Sequence, residues 1–140
     1  MSKKVLYATD YSKESLNILA YAASLARDRD ATLLVTHVLE REQQAVGESF
    51  DEDGKPSEEE TRQLESVRPV GVDISIEHRL VYGVPTKADE AICQLAKVEG
   101  VEMIVIGTHG HSALESLMGG SVAERVVKHA PCPVVAVKHK

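Results

Sequence analysis

Residues 103–127 read MIVIGTHGHSALESLMGGSVAERVV. The segment begins with a four-residue apolar run, which is typical of a buried strand, and it ends in apolar positions at helical spacing. A strand followed by a loop and a helix is the repeating unit of a parallel α/β fold. The loop carries glycines at 107, 110, 119 and 120, so this segment bears on function as well as on fold.

The glycines of this loop favour a phosphate-bearing ligand. Glycine lets the backbone approach a ligand closely, and the free N–H groups at the start of the next helix attract anions. The loop matches neither the Walker P-loop nor the dinucleotide fingerprint. Ser121 and Glu124 also fit a capping box, so a helix cap and a ligand contact remain alternatives for Ser121.

The same unit recurs along the rest of the chain. Apolar runs predict strands at 5–8, 31–39, 73–81, 103–106 and 134–137. Helices are expected after Ser12, after Ser57, from Pro85 or near it, and after Ser121, the third of them ending at Gly100. This alternation predicts a doubly wound parallel sheet with helices on both faces.

Composition limits the class of protein. The 140 residues carry a net charge of −6, and they are expected to form one domain, 1–140. Residues 40–65 hold ten acidic side chains against three basic ones, and 40–56 are expected to form a mobile acidic loop. Without a basic patch or a long apolar stretch, we expect no nucleic-acid or membrane partner. The two cysteines and the missing leader favour a cytoplasmic protein with reduced thiols.

Several motifs together resemble one family. They are Gly107-x2-Gly110-x9-Gly120-Ser121, YATDYS at 7–12, THV at 36–38, GVP at 83–85, GSVAERVV at 120–127 and APCPVVAV at 130–137. In this combination the chain resembles the nucleotide-binding universal stress proteins over nearly its full length. The resemblance implies a five-stranded sheet of order 3-2-1-4-5, the adenine nucleotide alpha-hydrolase-like fold.

The resemblance also implies an ATP site, or a site for another adenine nucleotide. Asp10 and Val38 would flank the adenine, and Mg²⁺ or Mn²⁺ would be held mainly through the phosphates and water. The full set of implied contact residues is Ala8, Thr9, Asp10, Val38, Gly107, Thr108, Gly110, His111, Gly120, Ser121 and Val122. No catalytic residue and no metal ligand is assigned.

Two functions are compatible with such a site. The first is a stress-response switch in the cytoplasm, in which nucleotide occupancy acts on an unidentified protein partner. The alternative is a slow ATPase or a phosphoryl-transfer enzyme that uses the same pocket. The sequence from Gly107 to Glu124 holds no Lys or Arg, and such a cation usually stabilises the transferred phosphate; its absence favours binding over turnover.

Two further expectations concern His37 and the final strand. His37 lies within a predicted strand and is expected to be a hydrogen-bonded, partly buried histidine. In the strand order that the resemblance implies, the strand at 134–137 would lie at a sheet edge, where unpaired backbone groups invite another chain. Together with the resemblance, this edge predicts a homodimer through the C-terminal strand.

Overall fold

A computed structural model describes residues 3–40, 56–108 and 121–138. The predicted mobile segment therefore lies outside the described residues, apart from Glu40 and Pro56 at its two ends. Within the described ranges, no helix is both long enough and apolar enough to cross a bilayer.

The sheet of the described residues has the predicted topology. Its strands are β1 (Lys4–Ala8), β2 (Thr32–Glu40), β3 (Ile76–Gly83), β4 (Met103–Gly107) and β5 (Val134–Val137). They pair in the order β3-β2-β1-β4-β5, and every pair is parallel. The doubly wound sheet of order 3-2-1-4-5 is confirmed.

Helices cover both faces of the sheet because side chains alternate along each strand. One face, with Leu6, Leu34 and Ile104, packs against α4 (Ala88–Glu99) and α5 (Val122–His129). The other face carries Val5, Leu33 and Val105. It is covered by the helices α1 (Lys13–Asn17), α2 (Leu19–Asp28) and α3 (Glu58–Glu65).

The predicted helix ends follow local chemistry. The Ser12 hydroxyl accepts the N–H of Ser15 at 3.1 Å and caps α1. Ser57 and Glu60 form a reciprocal capping box at the start of α3. Gly100 ends α4 with a left-handed φ of 63°, which costs glycine little. These three predictions are confirmed.

Three predicted boundaries need correction. The first helix is interrupted at Ile18, which separates α1 from α2. β3 begins at Ile76 rather than at residue 73. The helix after β3 begins at Ala88 rather than at Pro85, because the intervening Thr86 has a φ of 69°. That backbone conformation cannot belong to a right-handed helix.

A cluster of ion pairs joins β1, β3 and α4. The Lys4 ammonium lies 2.7 Å from Glu99 Oε1, and the Arg79 guanidinium lies 2.9 Å from Glu99 Oε2. The Glu99 side chain is only 14% exposed. The hydrogen bond from Lys4, followed by that from Arg79, holds the pKa of Glu99 below its usual value. The ionised form of Glu99 therefore stabilises the folded state.

We expect Glu99→Gln to lower the free energy of unfolding by about 1 kcal/mol near neutral pH. The pKa of Glu99 is lower in the folded protein than in the unfolded chain. The wild type therefore loses this stabilisation as the pH falls through the pKa of Glu99 in the folded protein. Urea unfolding at neutral pH and at about pH 3 measures the difference. The exposed Glu65→Gln is the control. An equal effect of Glu99→Gln at both pH values would contradict the assignment.

Candidate functional site

A cavity of about 460 Å³ opens at the carboxyl edge of the sheet, which is within the usual size of small-molecule sites. Its apolar walls come from the strand ends and from α4 and α5: Ala8, Val38, Ala88, Ile92, Ile106, Val122 and Ala123. Its polar groups follow β1, begin α1 or end β2: Thr9, Asp10, Tyr11, Ser15, His37 and Glu40. The remaining lining residue among those that the structure describes is Gly107, at the end of β4. Open α/β sheets bind ligands at this edge.

The loop after β1 is fixed by a buried hydroxyl network. The Ser15 hydroxyl donates to Thr9 Oγ1 at 2.7 Å, and the backbone N–H of Tyr11 donates to the same oxygen at 3.0 Å. The Tyr7 hydroxyl donates to the Ser15 carbonyl at 2.7 Å, and burial raises the pKa of Tyr7. These bonds hold the loop in place where it lines the cavity.

Asp10 presents a carboxylate at this wall. Its Oδ1 accepts the backbone N–H of Ser12 at 2.9 Å. The side chain therefore stabilises the turn before α1 and also lines the cavity. Glu40 adds a second carboxylate at the end of β2, where its Oε2 accepts the N–H of Thr86 at 3.1 Å. Carboxylates accept hydrogen bonds only, so this part of the cavity favours a ligand with N–H or O–H donors.

His37 and Tyr11 form a ring pair beside these carboxylates. Their ring centroids lie 4.3 Å apart. His37 Nδ1 is 2.8 Å from the Thr9 carbonyl oxygen, which can only accept, so Nδ1 carries the proton. The prediction of a hydrogen-bonded, partly buried histidine is confirmed. Burial, with a smaller contribution from Glu60, raises the pKa of Tyr11 to about 12.

The backbone of Tyr11 has a φ of 67°. This left-handed conformation is uncommon for a residue with a bulky side chain. Such conformations cost about 1–3 kcal/mol and persist where the surrounding structure imposes them. Here the Thr9 hydroxyl and the His37 ring hold Tyr11 from two sides.

The start of α5 forms another wall. Ser121 accepts the Glu124 N–H at 3.1 Å and therefore caps the helix, while Val122 and Ala123 line the cavity. Thr108 donates its N–H to the Val137 carbonyl at 3.0 Å, which continues the pairing of β4 with β5. Neither Ser121 nor Thr108 is among the described lining residues.

A family model described as the universal stress protein family matches residues 1–138. The chain belongs to this family. A universal stress protein of Thermus aquaticus is 36% identical over 142 residues, covering 99% of this chain and 100% of the relative.

Two solved structures share the fold. The structure of the universal stress protein MJ0577 of Methanocaldococcus jannaschii has a TM-score of 0.72 and 27% identity, covering 100% of this chain and 98% of that one. A universal stress protein from Archaeoglobus fulgidus, solved in complex with dAMP, has a TM-score of 0.65 and 26% identity. That comparison covers 99% of this chain and 98% of the other.

Most of the described site residues that the universal stress protein motifs imply lie together. The cavity brings together Ala8, Thr9, Asp10, Val38, Gly107 and Val122. Gly110, His111 and Gly120 lie outside the described residues, so their roles stay predictions.

Sequence reasoning missed several lining residues. Ala88 and Ile92 were assigned to the apolar stripe of a core helix, and both do pack in the core as well as line the cavity. Tyr11 is the sequence neighbour of Asp10, and His37 is the neighbour of Val38; that adjacency was the available signal. Nothing in the local sequence of Glu40 or Ser15 indicated that they would line the cavity.

Gly83 sets the position of Val38 in this universal stress protein. A Cβ atom added to Gly83 would lie 2.7 Å from Val38 Cγ1 and 3.3 Å from the Ala91 Cβ. Both distances are shorter than ordinary carbon contacts. The absence of a side chain at Gly83 therefore lets β3 and α4 pack closely against Val38 at the cavity.

We expect Gly83→Ala to lower the free energy of unfolding by about 1–3 kcal/mol, because the added methyl group overpacks this contact. Chemical denaturation measures the effect. The exposed neighbour Val84→Ala is the control, with a change within about 0.5 kcal/mol. Val38→Ala removes the colliding methyl group, so its cost and that of Gly83→Ala should be less than additive in the double variant. Full additivity would contradict the proposed contact.

Proposed function

We propose that this universal stress protein binds an adenine nucleotide, ATP in particular, in the cavity at the carboxyl edge of the sheet. The observation that carries the proposal is the convergence of Ala8, Asp10, Val38, Gly107 and Val122 on one cavity. Membership of the family supports it, as does the dAMP complex of the Archaeoglobus relative.

The lining suggests how the nucleotide would lie. The apolar side chains of Ala8, Val38 and Ile92 suit the faces of a purine ring. The carboxylates of Asp10 and Glu40 would accept hydrogen bonds from amino or hydroxyl groups of the base and ribose. The phosphates would then approach Gly107 and the N-terminus of α5, where helix N–H groups favour anions.

A divalent cation would enter with the nucleotide. Among the described residues, no group of three or more His, Cys, Asp or Glu side chains is placed to hold a metal ion. Mg²⁺ commonly binds through phosphate oxygens and water with few protein ligands. We therefore propose that Mg²⁺ or Mn²⁺ is held mainly by the phosphates.

We further propose that nucleotide occupancy acts as a switch on a protein partner in the cytoplasm during stress. The segment from Gly107 to Glu124 has no Lys or Arg to stabilise charge on a transferred phosphate. This supports a binding role over the alternative of slow ATP hydrolysis. Very slow turnover stays a prediction.

We expect the wild type to bind ATP and Asp10→Asn to bind it at least about tenfold more weakly, a loss of about 1.4 kcal/mol. The asparagine keeps an oxygen for the Ser12 N–H but removes the charge that strengthens a ligand hydrogen bond. Isothermal titration calorimetry measures both affinities.

Asp28→Asn is the matched control for this experiment, because its side chain is 68% exposed at the end of α2. The control should bind ATP like the wild type. A folded Asp10→Asn protein with wild-type affinity would overturn the role of Asp10. A wild type that does not bind ATP would overturn the proposed function.

We also propose a homodimer through β5. Within the described residues, β5 is an edge strand that pairs with β4. The N–H groups of Ile104 and Thr108 donate to the carbonyls of Pro133 and Val137. Because backbone direction alternates along a strand, Ala136 directs its backbone groups to the open edge. A second copy could pair there about a two-fold axis.

We expect the wild type to be dimeric at roughly 10–100 µM and Ala136→Pro to be monomeric, since proline removes an edge donor. Ala136→Ser keeps the N–H and is the control. Sedimentation equilibrium gives the masses. A monomeric wild type, or a dimeric and folded Ala136→Pro protein, would contradict pairing through β5.

A further inference from the structure

Arg125 lies outside the described cavity lining and joins α5 to two neighbouring segments. Its Nε donates to Asp89 Oδ1 in α4 at 3.0 Å. Its Nη2 donates to the carbonyl oxygen of Thr86, in the turn before α4, at 3.1 Å. The planar guanidinium group makes both bonds at once, which a single ammonium group does less well.

The Thr86 peptide groups are held from both sides. The N–H of Thr86 donates to Glu40 at the end of β2, while its carbonyl accepts from Arg125. The φ of 69° at Thr86 is unfavourable for a β-branched residue. A strained conformation of this kind persists when surrounding contacts impose it. Glu40, Thr86 and Arg125 thus form a continuous connection from β2 to α5.

Asp89 links Arg125 to α4 as well. The residue is 5% exposed, and a buried carboxylate requires a partner because desolvation of an unpaired charge is costly. The side chain of Arg125 is 22% exposed. The pair therefore holds α5 against α4 at one defined position.

All three connected elements contribute to the cavity. Glu40 lines it directly, Ala88 precedes Asp89 in α4, and Val122 and Ala123 share the first turn of α5 with Arg125. Arg125 itself is not among the described lining residues. It lies in the first turn of α5, the part of the site where the phosphates are proposed to lie.

We propose that Arg125 is a positioning residue that sets the N-terminal turn of α5 for the phosphates of the bound nucleotide. The inference rests on the proposed function and adds that Arg125 affects the binding of the phosphates more than that of the nucleoside. Ala8, Asp10 and Val38, which are proposed to contact the base and ribose, lie in β1, the loop after it and β2 rather than in α5. Loss of the Arg125 contacts therefore weakens phosphate binding more than nucleoside binding. Small displacements of a binding group have large effects, since optimal contacts depend on sub-ångström placement.

The test compares ATP with adenosine in Arg125→Lys, which keeps the positive charge but not the planar pair of donors. By calorimetry, affinity for ATP should fall at least about tenfold and that for adenosine by less than about twofold. Arg62→Lys is the matched control, because Arg62 is 74% exposed on α3. It should change neither affinity. Thermal unfolding verifies that each variant is folded.

The ratio of the two affinities separates positioning from a structural role. Equal losses for ATP and adenosine, or no loss at all, would overturn the positioning role while the proposed function stands. A wild type that binds neither ligand would overturn the proposed function and this inference with it. If Arg125→Lys does not fold, Asp89→Asn keeps the shape of the pair and must give the same selective loss of ATP affinity.

Discussion

The burial of β1 on both faces is the constraint on which the structure depends. Val5, Leu6 and Tyr7 have no exposed surface, so helices must cover the sheet on both sides. Parallel strands joined by crossover helices all point the same way, and their carboxyl ends must meet at one edge. The position of the cavity follows from this arrangement rather than from any single loop.

Strained backbone lies next to that cavity. Tyr11 and Thr86 have positive φ values, and each lies in a segment that enters a helix from a strand end. Both are held by side chains of residues that line the cavity, Thr9 for the first and Glu40 for the second. The hydrogen bonds that hold these two conformations thus come from residues that also shape the site.

Local patterns in the sequence predicted the elements well because their causes are local. Apolar runs, the caps at Ser12 and Ser57, and the glycine at 100 act within a few residues. The helix predicted to begin at or near Pro85 begins three residues later, at Ala88, because contacts to Thr86 hold that residue in a left-handed conformation.

Contacts between distant residues were beyond sequence reasoning. Arg125 and Asp89 are 36 positions apart, and the close approach of Gly83 to Val38 depends on the register between β2 and β3. The residues that line the cavity were predicted best where a family motif named them, as at Asp10 and Val38. Glu40 and Ser15 were found only once the strand ends and α1 were placed.

The ion pairs around Glu99 lie at the beginning of β1, whereas the cavity lies at its end. The strand separates the two by roughly 13 Å, a distance at which the energetic effects of substitutions usually add independently. Tolerance to heat or acid can therefore change through one end of the sheet while ligand preference changes through the other.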